Sequence, residues 1–153
     1  MDLSELALAL ALSTGAHTYG HVAAGNEQNI PVTIDWKTRT EPAKFSGDPA
    51  RDAQVYAGGF KMQDLLGQAM QSPEMRAANG LYKLGYLSKL TLPKGLPGDI
   101  DNMERLSGNK YTKPLLGVSA LYDLYKAKNP NNGWDLRFIT PNGAPGLAID
   151  YKF

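Results

Sequence analysis

The pattern of hydrophobic and polar positions changes period repeatedly along the chain, and each change predicts an element. Leu6, Leu8, Leu10 and Leu12 alternate with alanines, and Ala16, Gly20 and Ala24 follow at four-residue spacing. Ser4 is placed to cap a helix over 4–24, and Gly25-Asn26 to stop it. Its leucines point around more than one face, so burial on several sides is expected. Val32, Ile34 and Trp36 then alternate with Thr33, Asp35 and Lys37, the period of a half-buried strand over 30–38. Asp48-Pro49 and Ser72-Pro73 each pair an N-cap with a first-turn proline, and predict helices ending near Met70 and Leu87. A short helix is expected over 101–106, with Asp101 and Glu104 spaced as a capping box and Gly108 as terminator. Residues 112–128 carry the apolar row Leu116, Ala120, Leu121 and Leu124 of an amphipathic helix. Two alternating runs, Trp134-Leu136-Phe138 and Leu147-Ile149-Tyr151-Phe153, flank the turn-forming segment 140–146 and predict a β-hairpin.

These elements predict an α+β class: a mainly helical body with a small antiparallel sheet that includes the C-terminal hairpin. A single domain over 1–153 is expected, made of a buried N-terminal helix (4–24), a helical body (48–128) and the hairpin (134–153), with 30–38 as a third strand.

Composition narrows the function classes. The 153 residues include 16 basic and 15 acidic side chains, a net charge of +1, so no global field draws the chain to nucleic acid. Lys and Arg are scattered rather than gathered into a stripe. With no cysteine, disulfides, thiolate zinc sites and a cysteine nucleophile are excluded. Leu6–Leu12 has the length of a signal-peptide core, but the acidic Met1–Glu5 before it is the wrong flank. Residues 6–26 are 21 uncharged positions, near a bilayer-crossing length, yet His17, His21 and three glycines make them a poor span.

Few residues suggest chemistry. His17-Thr-Tyr-Gly-His21 puts two imidazoles one turn apart on a helix, the spacing that offers two nitrogens to one metal ion. This segment resembles the H-E-x-x-H site of membrane metallopeptidases, where Gly also precedes the second His. Thr18, however, occupies the position of the glutamate base, so nothing is placed to activate a metal-bound water. A third ligand would have to come from Asp64, Asp123 or Glu104, and the spacing singles out none. The carboxylate pairs Asp48/Asp52 and Asp99/Asp101 stand at helix starts and are explained by capping. Gly143–Gly146 lies in a hairpin turn and is no phosphate loop. No catalytic residue, cofactor or metal is expected: His17 and His21 are candidate ligands, but they are read first as histidines hydrogen-bonded at a helix-packing seam.

Small residues four apart leave a flat groove on a helix that admits another backbone. Ala16, Gly20 and Ala24 predict such a packing surface on the first helix, and Gly117 with Ala120 a weaker one. Trp134, Phe138, Tyr151 and Phe153 are the candidate aromatic interface. The Ala/Gly-rich 6–25 helix, the Gly80-Leu-Tyr-Lys-Leu-Gly-Tyr-Leu87 segment and the 115–128 helix followed by its hairpin resemble, together, small internal or connector proteins of tailed-phage virions. That resemblance implies a non-enzymatic subunit with protein partners in a multi-subunit, homo-oligomeric or mixed, particle. It also implies location in the virion; without a phage origin the cytoplasm is expected. A virion or ejected protein whose first helix enters a membrane is the second reading, and a degenerate HxxxH metal-binding protein the third.

Overall fold

Proline placed directly after a capping side chain starts two of the helices, and glycines set how closely the others approach. In the computed structural model, residues 2–34, 41–42 (backbone only), 46–90 and 97–152 are described. Helix α1 spans Leu3–Gln28, α2 Pro49–Met70, α3 Pro73–Leu87, α4 Asp99–Ser107 and α5 Thr112–Lys128. Strands β1 (Val32–Thr33) and β2 (Glu41–Pro42) form one antiparallel pair, and β3 (Trp134–Ile139) and β4 (Gly146–Tyr151) another. The class is therefore α+β, mainly helical, with the hairpin in register Trp134↔Tyr151 through Ile139↔Gly146. The strand expected over 30–38 is reduced to β1, which pairs with β2 rather than joining the hairpin; 35–40 lie outside the described residues.

Helix α1 departs from its expected limits at both ends. Asp2, not Ser4, is the cap: its carboxylate accepts from the Ser4 amide at 2.8 Å. The stop is Asn29, in the left-handed region at φ 54° and beyond the end of the small-residue row at Ala24. Gly25 stays helical because it is needed for contact: a Cβ there would meet the Ile30 carbonyl oxygen at 2.6 Å. Nor is α1 buried on several sides. Leu8, Leu12 and Tyr19 lie on one outward row at 63%, 42% and 62% exposure. Similarly, α4 begins two residues early, on Gly98, with Asp101 accepting from the Gly98 amide at 3.1 Å as the third residue of the helix.

Helix α2 is the hub, packed against α1, α3, α4 and β3. The core joins Tyr56, Ala57 and Phe60 of α2 to Tyr86, Ile100, Met103, Leu116 and Phe138. A smaller cluster beneath α1 joins Ala9 to Met75 and Ala78. Gly20 and Gly58 face each other where α1 crosses α2; a Cβ on either would collide with the other's carbonyl oxygen, and one on Gly59 would meet the His17 ring at 2.5 Å. On the far side of α2, buried charges replace hydrophobic contact. Lys83, fully buried, pairs with Asp64 and, at 2.7 Å, with Asp123. Arg76 bridges Asp123 at 3.1 Å and Asp135 at 2.6 Å. The second Asp64 oxygen accepts from the Phe138 amide at 2.6 Å, which pins β3 to α2. Burial pushes the Asp64 carboxyl up to about 6, against the pull of Lys83.

Candidate metal centre

Three residues from two helices converge behind the α1–α2 crossing. His17 and His21 stand one turn apart on the inner face of α1, both 5% exposed. Asp99 opens α4 and aims its carboxylate at the pair. His17 Nε2 lies 3.1 Å from Asp99 Oδ2, His21 Nε2 lies 3.2 Å from it, and the two Nε2 atoms are 3.1 Å apart. The three atoms form a nearly equilateral triangle. Gly59 makes the space for it, because any side chain there would occupy the His17 ring position.

Surrounding groups fix the orientation of each member. The Val55 carbonyl of α2 can only accept, so His21 Nδ1, 2.9 Å away, carries a proton and Nε2 faces inward. Tyr86 of α3 clamps Asp99: its hydroxyl donates to Oδ2 at 2.7 Å and accepts from the Asp99 amide at 3.0 Å. The remaining ring nitrogen, His17 Nδ1, is buried without a partner, and so is Gln63 Oε1. The Gln63 amide lies close enough to His17 to favour its protonated ring. Its NH2 is taken by Ser13 Oγ at 2.8 Å, which leaves the oxygen as a waiting acceptor. Phe60, Tyr82 and Tyr86 wall the His17 ring at centroid distances of 4.7, 5.0 and 5.6 Å.

Electrostatics follow from burial and proximity. Burial pulls both imidazoles down, and for His17 it prevails. For His21 it is outweighed by the Asp99 charge, the Asp99 hydrogen bond and the Val55 carbonyl, so its pKa rises. Burial would raise the Asp99 carboxyl, but the charge of His21 and the hydrogen bonds from both histidines hold it well below the usual carboxylate range. Tyr86 is pushed far up, first by burial and then by Asp99, so it remains a hydrogen-bond donor. A carboxylate and a lone-pair nitrogen, held together in a dry site, need a cation or a shared proton between them.

The histidine spacing is what sequence reading found; the third member it missed. Asp64 and Asp123 are taken by Lys83 and Arg76, and Glu104 pairs with Lys113 at 3.3 Å, so none of the expected third ligands reaches the site. Asp99 stands at a helix start, yet its side chain makes no cap bond and points to the histidines. The other sequence candidates scatter. Gly20 and Ala24 face α2 of the same chain, so the groove they make is already filled, and Ala16 is half-buried beside them. Ala120 is fully buried, with its carbonyl against Gly80 of α3, whereas Gly117 meets only Leu87 at ordinary contact distance. Phe138 belongs to the core at 1% exposure and presents nothing to a partner. Trp134 is 52% exposed and packs on Tyr151 with centroids 4.6 Å apart; Phe153 lies outside the described residues. Among the described residues, no helix is long and apolar enough to cross a membrane. Compared with known proteins, the chain matches no family model, no curated sequence and no solved structure.

Proposed function

We propose that the protein binds one divalent transition-metal ion through His17 Nε2, His21 Nε2 and Asp99 Oδ2, and that the ion ties α1 to α4 without running a reaction. The observation that carries this reading is the triangle of 3.1, 3.1 and 3.2 Å between the three donor atoms. Ligand atoms around tetrahedral zinc, with bonds of about 2.0–2.1 Å, stand about 3.3 Å apart. Adjacent ligands on an octahedron with bonds of about 2.1 Å stand about 3.0 Å apart. The observed edges fall between these two values. The supporting groups fit as well: an ion on His17 Nε2 requires the proton on Nδ1, the one ring nitrogen without a partner, with the Gln63 oxygen free to receive it. Against catalysis stand Thr18 in place of a carboxylate base and the burial of both histidines, with Asp99 only partly exposed.

Metal analysis of the full chain, purified without added metal, tests the reading. About one equivalent is expected in the wild type, and almost none in His17→Asn with His21→Asn. Less than about 0.2 equivalent, together with no rise in thermal midpoint on adding zinc, would sink it.

A subunit of a phage virion, or of another multi-subunit particle, is the second reading. Its support is the outward row Leu8, Leu12 and Tyr19 on α1 and a second row on α5, where Val118, Leu121 and Tyr125 are 48%, 63% and 50% exposed. The native mass of the protein isolated from its source checks it; a monomeric mass with no companion chain argues for the metal reading alone.

A further inference from the structure

A second site lies away from the histidines, where the ends of α2 and α5 meet the start of α3 and the loop before β3. A cavity of about 260 Å³ opens there, lined by Gln71, Arg76, Lys126, Asn131, Asn132 and Lys152 among others. Three of these side chains are cationic. The lining carboxylate, Asp135, is engaged by Arg76 at 2.6 Å. Arg76's other carboxylate, Asp123, is shared with Lys83. Lys126 and Lys152 are thus left without a carboxylate among the described residues.

Lys126 is held in place rather than splayed into solvent. Its ammonium donates to the Asn132 carbonyl and, at 3.1 Å, to the Trp134 carbonyl, which leaves one N–H. Burial, and after it the positive charges of Arg76 and Lys152, push its pKa down despite Asp135. Cations that repel one another around a cavity mark a place where an anion relieves the repulsion. Amide groups complete the donor set: the Gln71 and Asn131 side chains have no partner among the described residues. One held ammonium, a second lysine and side-chain amides around a small cavity suit a small oxyanion.

We infer that the cavity between Gln71, Lys126, Asn131 and Lys152 is a binding site for a small oxyanion of the phosphate class. It is independent of the metal centre, because it shares no residue with it.

Calorimetric titration of the full chain with inorganic phosphate, at ionic strength held constant with chloride, tests the inference. Saturable one-site binding is expected, weakened about tenfold or more by Lys152→Met. Lys152 is exposed, so this substitution leaves the fold intact, and an unchanged thermal midpoint checks that. Lys126→Met is expected to weaken binding at least as much. The metal-free double variant His17→Asn, His21→Asn should still bind phosphate. No saturable heat with the wild type, equal affinity in Lys152→Met, or the same response to chloride alone would each overturn it.

Discussion

At the scale of single residues, the chain relies on polar side chains placed where water is absent, and several of them are held by specific partners. Tyr86 illustrates the cost of removing one. Tyr86→Phe deletes the hydroxyl that both orients the Asp99 carboxylate and receives the Asp99 amide. Metal affinity is expected to fall about 10- to 100-fold, read by competition with a chromogenic chelator, while the metal-free protein loses about 1–2 kcal/mol in urea unfolding. Lys83 is the sharper case. Lys83→Met leaves Asp64 and Asp123 in the core without their shared ammonium, Asp64 keeping the Phe138 amide and Asp123 keeping Arg76. Breaking a buried ion pair from one side costs about 3–5 kcal/mol, and the same unfolding measurement should show it.

At the scale of elements, glycine decides how close the helices come. Gly58→Ala is expected to destabilise by at least about 2 kcal/mol, because the new methyl runs into the Gly20 carbonyl and the Ala24 side chain, and neither can retreat. Gly117→Ala, also inside a helix but meeting nothing nearer than Leu87 at 3.8 Å, should stabilise by about 0.5–1 kcal/mol. Chemical denaturation of the pair distinguishes contact from propensity. The same contrast explains what was legible beforehand. Caps, proline starts and alternation are local signals, so α2, α3, α5 and the hairpin stand where the sequence pattern puts them. The Gly20 row announced a close approach, but nothing local says that the approaching backbone is α2 of the same chain. Phe138 and Trp134 occupy one face of an alternating strand, yet twist and the burial of Asp135 beside Arg76 send one inward and leave the other out. In the metal centre, the two histidines are four residues apart and visible, whereas Asp99 is separated from them by most of the chain. Its position at a helix start offered a sufficient local explanation, which hid the long-range one.

At the scale of the whole molecule, the metal centre and the ion network should give stability two opposite responses to pH. The folded-state pKa of Asp64, pushed up to about 6, lies above its unpaired value of 3.8. The native state therefore binds this proton more tightly, and the resulting stability is complete below 3.8 and lost as pH rises through 6. The slope of stability against pH in metal-free buffer, steeper in wild type than in Asp64→Asn, checks the direction of this term. The metal term runs the other way. Protons compete with the ion for His21, whose pKa is raised above 6.5, so stabilisation by zinc should be largest at alkaline pH and fall steadily as pH drops. Thermal midpoints recorded with and without zinc against pH would show the two curves diverging.

The complete enclosure of the Lys83 ammonium has a practical consequence. An acylating reagent that labels amines at the surface can reach this nitrogen only when α2, α3 and α5 separate, so its rate of modification reports the opening of the helical body as a unit. The exposed lysines, Lys89, Lys110 and Lys128 among them, should react at once, and the lag at Lys83 becomes a clock for unfolding in the native protein.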